Sequence, residues 1–310
     1  MTFIPTLTMN PTIDKSTRID RVVPEKKLRC KTPRYEPGGG GINVARAIQK
    51  LGGKSLALFT AGQAPGQMLQ DLLQQERLDH RPIPIEGRTR VSVAVYEQTS
   101  GQQYRFGMPG PTLSDAEWNR CLEDFFKHSA KAEYIVVSGS TPQGVPQDFY
   151  ARLARIAKQN DQKLILDASG EPFLLAVREG VFLIKPNLRE FRTLAESHLE
   201  DESQHIELAR QLISSEQSQV VVISLGASGA VLVEKSGTQR LCAPLVRVRS
   251  KVGAGDSMVA GMVLGLTRGY PIERAARFGV AAGAAAVMTP GSGLCRREDT
   301  ERLFQSTESK

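Results

Sequence analysis

The chain has little that would tie it to a transition metal, a membrane or a disulfide framework. Its four cysteines, Cys30, Cys121, Cys242 and Cys295, lie far apart in 310 residues with no C-x-x-C pair. That spacing excludes a zinc ribbon and a redox dithiol and leaves scattered free thiols. The four histidines, His80, His128, His198 and His205, form no H-x-x-x-H pair and stand among polar residues, so surface positions and no transition-metal site are expected. No apolar run approaches the ~18 residues that span a bilayer, and the opening MTFIPTLTMNPT lacks the charged-then-apolar layout of a signal peptide. A cytoplasmic protein with no membrane partner is expected. Aromatics are scarce at 6%. The basic excess, +7 with a pI near 9.3, is spread along the chain without the interleaved aromatics of single-strand binders, so no nucleic-acid partner is expected. No G-x-G-x-x-G follows the first strand-like run, GGKS has Ile48 where a Walker A loop requires glycine, and the H-R-D and D-F-G loops of protein kinases are absent.

What is present fits a large α/β body. At 40% hydrophobic and 24% charged, the chain can bury a full core. Strand-like runs at 4–8, 56–61, 134–138, 163–167, 182–184 and 219–224 alternate with helical patterns at 42–51, 67–76, 114–129, 146–158 and 206–214, the signature of a doubly wound, mostly parallel sheet. Two more helices, 255–268 and 272–288, close the body, and SDAE at 114–117 is a capping box. By contrast, 17–36 and 90–108 read as alternating strands with few helix signals. They imply a small β lid inserted at about 15–37 and 88–109 into one large domain, 1–310. Within it EKKLRCKTPR, read as a strand, places Lys27, Arg29 and Lys31 on one face, the pattern of a solvated edge or of a cationic site.

Two glycine-rich elements carry the chemistry. VRSKVGAGDSMVAGMVLG puts Asp256 directly after Gly-Ala-Gly, in the first turn of a helix whose buried face is Met258, Val259, Met262, Val263 and Leu266. An acid there is explained by the helix dipole and free N–H groups, or by a general base beside an anion-binding helix end. EPGGGGINVARAIQKLGG is a flexible turn leading into an amphipathic helix and identifies nothing alone.

Together, about two hundred residues apart, the two elements resemble the paired signatures of the PfkB (ribokinase-like) family of sugar kinases. The resemblance implies the ribokinase-like fold, Asp256 as catalytic base and Gly253, Ala254 and Gly255 as its anion hole. It covers nearly the whole chain, and TLTMNPTID is similar to the opening of the phosphosugar branch, with Asp14 in the place that holds sugar hydroxyls. KLRC, GQQYRFGMPG, SLG, GLCRREDT and Gly40, where other branches commonly carry Lys, look closest to the ribokinase-like 6-phosphofructokinases. The implied reaction is ATP-dependent phosphorylation of the C1 hydroxyl of fructose 6-phosphate. The 1-phosphofructokinase, the tagatose-6-phosphate kinase and a non-catalytic sugar-phosphate sensor are the alternatives.

By the same resemblance Gly39, Asn43 and Ser140 contact the sugar, and Arg90 with Lys27 its phosphate. In KPNLREF, Lys185 lies near the nucleotide while Asn187 and Glu190 organise Mg²⁺; SLGASGA supplies Ser224, Gly226 and Gly229 to ATP. A K⁺ site of backbone carbonyls is implied near Ser250, Val252, Ala286 and Gly291, and a homodimer through the lid. SGSTPQG departs from the family's S-G-S-L-P-P-G at Thr141 and Gln143, and Lys251 stands where threonine is usual.

Overall fold

The computed structural model describes residues 3–195 and 201–308; His198 lies outside them. A nine-stranded sheet forms the body, in the order β13-β12-β11-β10-β9-β8-β1-β4-β5. Its strands are β1 (Ile4–Thr8), β4 (Ser55–Ala61), β5 (His80–Pro84), β8 (Tyr134–Ser138), β9 (Lys163–Asp167), β10 (Val181–Ile184), β11 (Ser218–Ser224), β12 (Ala230–Glu234) and β13 (Gly237–Leu241). All neighbours from β11 to β5 pair in parallel, and β12 and β13 add an antiparallel edge. Chain order reverses direction at β1, flanked by β4 on one side and β8 on the other. Such a switch point opens a crevice at the carboxyl ends of the strands.

Helices cover both faces. One core joins the sheet to α1 (Gly40–Lys50), α8 (Ala254–Thr267), α9 (Ile272–Val287) and α10 (Arg297–Glu308). The other joins it to α3 (Asp115–Ser129), α4 (Phe149–Gln159), α5 (Glu171–Glu179), α6 (Leu188–Arg192) and α7 (Glu202–Ser214). The expected capping box forms at Ser114 and Glu117. α8 and α9 approach through glycine: a Cβ on Gly261 would lie 2.8 Å from the Cα of Gly279.

A second sheet, order β3-β2-β6-β7, is built from β2 (Thr12–Ile19), β3 (Arg34–Gly38), β6 (Arg90–Glu97) and β7 (Gln103–Phe106). β2 and β6 run parallel; the outer pairs are antiparallel. Its first strand starts at Thr12, ahead of the strand pattern read from the sequence. The basic run does not form a strand. Residues 20–33 leave the sheet as an exposed loop containing Pro24 and Pro33, each lacking the N–H a ladder needs. The loop is anchored near its ends, where Val22 N donates to Glu97 Oε1 at 2.7 Å and Lys31 N to Arg18 O at 2.9 Å. His205 is not at the surface, contrary to the expectation from its polar neighbours. It is buried on α7 at the spacing of Ala209 and Leu212, tilted against Phe191, because the helical period turns it toward the sheet.

Candidate active site

The site is built where β1, β8, β9 and β10 end. After β1 the chain crosses to the small sheet and returns through the four glycines into α1. Gly39, with φ +114°, caps that helix, and a Cβ there would sit 2.7 Å from Thr8 Cγ2. Thr8 Oγ1 accepts from Ile42 N at 2.8 Å, tying the helix start to the end of β1. Asn43 is thereby buried in the first turn, and its Nδ2 donates to Asp256 Oδ2 at 2.9 Å.

Gly253, in the left-handed region at φ +75°, caps α8, so Gly253, Ala254 and Gly255 lead directly to Asp256 in the first turn. Free N–H groups at such a helix start favour an anion. Enclosure pushes the Asp256 carboxyl up to about 7, with the Asp167 carboxylate adding to the rise and Asn43 and Lys185 opposing it. Lys185 Nζ pairs with Asp167 Oδ1 at 3.1 Å and lies 3.4 Å from where a Cβ on Gly255 would stand. Burial works against the charge on Lys185, but Asp167, Glu190 and Asp256 outweigh it and its pKa is raised. One buried cation therefore serves three acids. Asp167 escaped the sequence reading, although a carboxylate at the carboxyl end of a central strand is a signal for the site.

Across the crevice the small sheet presents Asp14. Burial raises its pKa and Glu36 adds to the rise, while Arg105, Arg90 and Arg46 oppose it. Arg90, half-buried, is turned to carbonyls: Nη2 donates to Asn10 O at 2.9 Å, Nη1 to Met108 O at 3.1 Å and Nε to Pro11 O at 3.4 Å. Ser140 accepts from Asn10 Nδ2 at 3.2 Å, joining the ends of β8 and β1. Lys27 stands exposed on the 20–33 loop, apart from these contacts. Arg105 and Arg46 were not singled out from sequence; Arg46 shares a helix face with Asn43, three residues away.

On the other side, Asn187 and Glu190 cap α6 reciprocally, each side chain accepting the other's backbone N–H at 2.9 Å. Ser224 N donates to Pro186 O at 2.9 Å, which sets the end of β11 beside the Lys185–Asn187 turn. Gly226 and Gly229, at φ +61° and +92°, frame the short turn into β12. Among the described residues no group of three or more acidic, His or Cys side chains is placed to cage a metal. Asp167 and Glu190 both act on Lys185, and this sparse oxygen set fits Mg²⁺, which keeps much of its water and takes phosphate oxygens. Arg249 N and Ser250 N donate to Val287 O at 2.7 and 3.2 Å, which sets Ser250 beside the end of α9, one residue from Ala286. The buried Ser292 hydroxyl there has no hydrogen-bond partner, and an oxygen-lined turn of this kind fits K⁺. Lys251 is exposed.

The model of the pfkB family carbohydrate kinases matches residues 7–299. The chain is 45% identical over 300 residues to the ATP-dependent 6-phosphofructokinase isozyme 2 of Mycobacterium tuberculosis, covering 97% of this chain and 88% of the relative. It superposes on phosphofructokinase-2 from Escherichia coli in complex with potassium with a TM-score of 0.96 at 38% identity, covering 99% and 100% of the two chains. On the same E. coli protein in complex with fructose-6-phosphate the TM-score is 0.93, at the same identity and coverage.

Proposed function

The chain belongs to the pfkB family of carbohydrate kinases and has its ribokinase-like fold, and from that premise we propose that it is an ATP-dependent 6-phosphofructokinase. It would transfer the γ-phosphoryl group of ATP to the C1 hydroxyl of fructose 6-phosphate, giving fructose 1,6-bisphosphate and ADP in the cytoplasm. The observation that carries the reading is the 2.9 Å hydrogen bond from Asn43 to Asp256. It joins the two glycine-rich elements, 213 residues apart, at one enclosed carboxylate.

The roles follow from placement. Asp256, increasingly ionised as pH rises through neutrality, accepts the C1 hydroxyl proton as that oxygen attacks phosphorus in line. The N–H groups of Gly253, Ala254 and Gly255 and the start of α8 stabilise the migrating group. Asp14, Gly39, Asn43 and Ser140 hold sugar hydroxyls. Arg90 and Lys27 serve the 6-phosphate: Arg90 from its backbone-anchored position, and Lys27 by movement of its exposed loop. Lys185 balances Asp167 beside the phosphates, and Ser224, Gly226 and Gly229 border ATP. Asn187, Glu190 and Asp167 would hold Mg²⁺ through water, and the bound ion neutralises phosphate charge. Ser250, Val252, Ala286 and Gly291 would hold K⁺.

The small sheet would act as a lid and as the dimer contact. Register divides it into two faces. Asp14, Glu36, Ser92, Arg90 and Arg105 share one, toward the crevice. Tyr35, Val93, Val95, Tyr104 and Phe106 share the other with Lys15, whose Nζ lies 5.6 Å from the Tyr35 ring centroid, and Tyr35 is 38% and Phe106 50% exposed. Such an apolar face supports a homodimer.

The test is ADP formation from MgATP with fructose 6-phosphate, fructose 1-phosphate, tagatose 6-phosphate and free fructose, with Asp256→Asn in parallel. Fructose 6-phosphate is expected to be preferred, and Asp256→Asn to fold, bind substrate and lose about 10²- to 10⁴-fold in kcat. Preference for another sugar overturns the substrate; near-normal turnover in Asp256→Asn overturns the base.

A further inference from the structure

Arg46 is 2% exposed within α1, and no step of the proposed reaction uses it. Its guanidinium forks onto Glu76, Nε to Oε2 at 2.8 Å and Nη2 to Oε1 at 2.6 Å. Nη1 donates to Pro37 O at 3.0 Å and to Asn43 Oδ1 at 3.3 Å. The last contact distinguishes the two ends of the Asn43 amide. Its oxygen faces the guanidinium, so its nitrogen faces Asp256. Flipped, the amide would set its oxygen against a carboxylate oxygen and its N–H groups against a cation, two repulsive contacts in place of two attractive ones.

We propose that Arg46 is a positioning residue, which fixes the orientation of the Asn43 amide and, through it, the carboxylate of Asp256 that receives the sugar proton. Glu76 holds the guanidinium in plane, a task suited to a fork-shaped cation and not to a single ammonium. The other charges that act on Asp256 come from β9, the turn after β10 and β2: Asp167, Lys185 and Asp14. None of them is hydrogen-bonded to the Asn43 amide, so none chooses between its two orientations; Arg46 does, on the same helix. Loss of Arg46 removes the bias that keeps an N–H donor on the carboxylate, so Asp256 should hold its proton to higher pH.

The proposal rests on the reading of Asp256 as base, and the experiment separates the two. The Asp256 carboxyl is titrated by carbon-13 NMR in the parent protein, Arg46→Met, Arg46→Lys and Glu76→Gln, and kcat and KM are measured across the same pH range. In Arg46→Met the Asp256 midpoint and the acid limb of kcat should both rise by about half to one pH unit, a three- to tenfold loss of ionised base on the acid side. KM for the sugar phosphate should rise too, because Asn43 also faces the sugar, but it should do so evenly across the pH range, whereas the loss in kcat is confined to the acid side. Arg46→Lys should move both in the same direction by less, and decides the matter if Arg46→Met does not fold. Glu76→Gln should lower Tm and move the midpoint by less than Arg46→Met, because Pro37 O still holds the guanidinium beside Asn43; a fall in Tm without a matching shift separates positioning from mere support of the helix pair. A folded Arg46 variant with the parent midpoint overturns the proposal. Should Asp256→Asn keep its turnover, the base reading fails alone, because the NMR midpoint still reports whether Arg46 orients the carboxylate.

Discussion

The two sheets solve different problems with the same kind of strand. In the large sheet β1 and β8 are buried along their whole length, and helices cover both faces, so packing dictates nearly every side chain. In the small sheet β6 is half-buried for six residues before an exposed Tyr96 and a buried Glu97, and register gathers Asp14, Arg90 and Arg105 on one face and Tyr35, Val93, Val95 and Phe106 on the other. The large sheet and its helices fix Asp256 and its neighbours to hydrogen-bond precision. The small sheet brings Asp14 and Arg90 to the crevice, yet leaves Lys27 on an exposed loop. The difference teaches that the covered part fixes the Asp256 carboxylate and its hydrogen-bond partners, while the thinly covered part is free for the substrate and partner contacts proposed for it.

The largest effect should come from breaking the body. A Cβ on Gly261 would stand 2.8 Å from Gly279 Cα and 3.0 Å from Phe278 O, and backbone atoms cannot rotate away. Gly261→Val should therefore cost about 3 kcal/mol of stability. Chemical denaturation would read this as a lower midpoint with an unchanged slope, and parent-like stability would show that α8 and α9 slide freely.

A middle-sized effect should come from relieving the carboxylate that the body encloses. Asp256 titrates near 7 in the fold against an ordinary 3.8, so between those values the folded chain binds a proton that the unfolded chain does not. Stability from this group is thus lost as pH rises from about 4 to about 7, and the loss is complete above. Asp256→Asn should match the parent in Tm near pH 4 and exceed it increasingly up to pH 7, with a plateau beyond. A difference in Tm that does not vary with pH would mean that the carboxyl is not enclosed as described.

The same division explains what was legible in the sequence. Six body strands were visible as apolar runs because burial on both faces writes a continuous signal, and Asp256 with its glycines because a helix start after Gly-Ala-Gly has a local grammar. β12 and β13 were missed as an antiparallel edge hairpin whose outer strand, GTQRL, is half polar. α5 was missed behind its Gly-Glu-Pro start, and α10 because REDTERLFQSTE buries only Thr300, Leu303 and Phe304. Asp167 and Arg46 carry no motif; their meaning lies in partners distant in sequence or on an adjacent turn. The 20–33 loop misled because its charge alternation imitates a strand while its prolines and lack of a ladder partner forbid one. His205 misled because polar neighbours in sequence sit on the opposite face of its helix.

The smallest effect on folding, and the sharpest test of the division, lies on the outer face of the small sheet. Tyr35 and Phe106 sit on β3 and β7, the two edge strands, and share that face with half-buried Val93 and Val95. If the body alone secures the fold, charges placed there should disturb only what docks on them. Replacing an exposed apolar side chain by a solvated carboxylate leaves no cavity and no unpaired buried group, so Tyr35→Asp with Phe106→Asp should change Tm by less than the equivalent of about 0.5 kcal/mol. In a face-to-face homodimer the same pair would bury four carboxylates in one apolar contact, a desolvation that such an interface cannot offset. Sedimentation at micromolar concentration should therefore report two chains for the parent and one for the double variant. A parent that sediments as one chain would remove the dimer. A variant that stays assembled would move the contact to another surface of the chain.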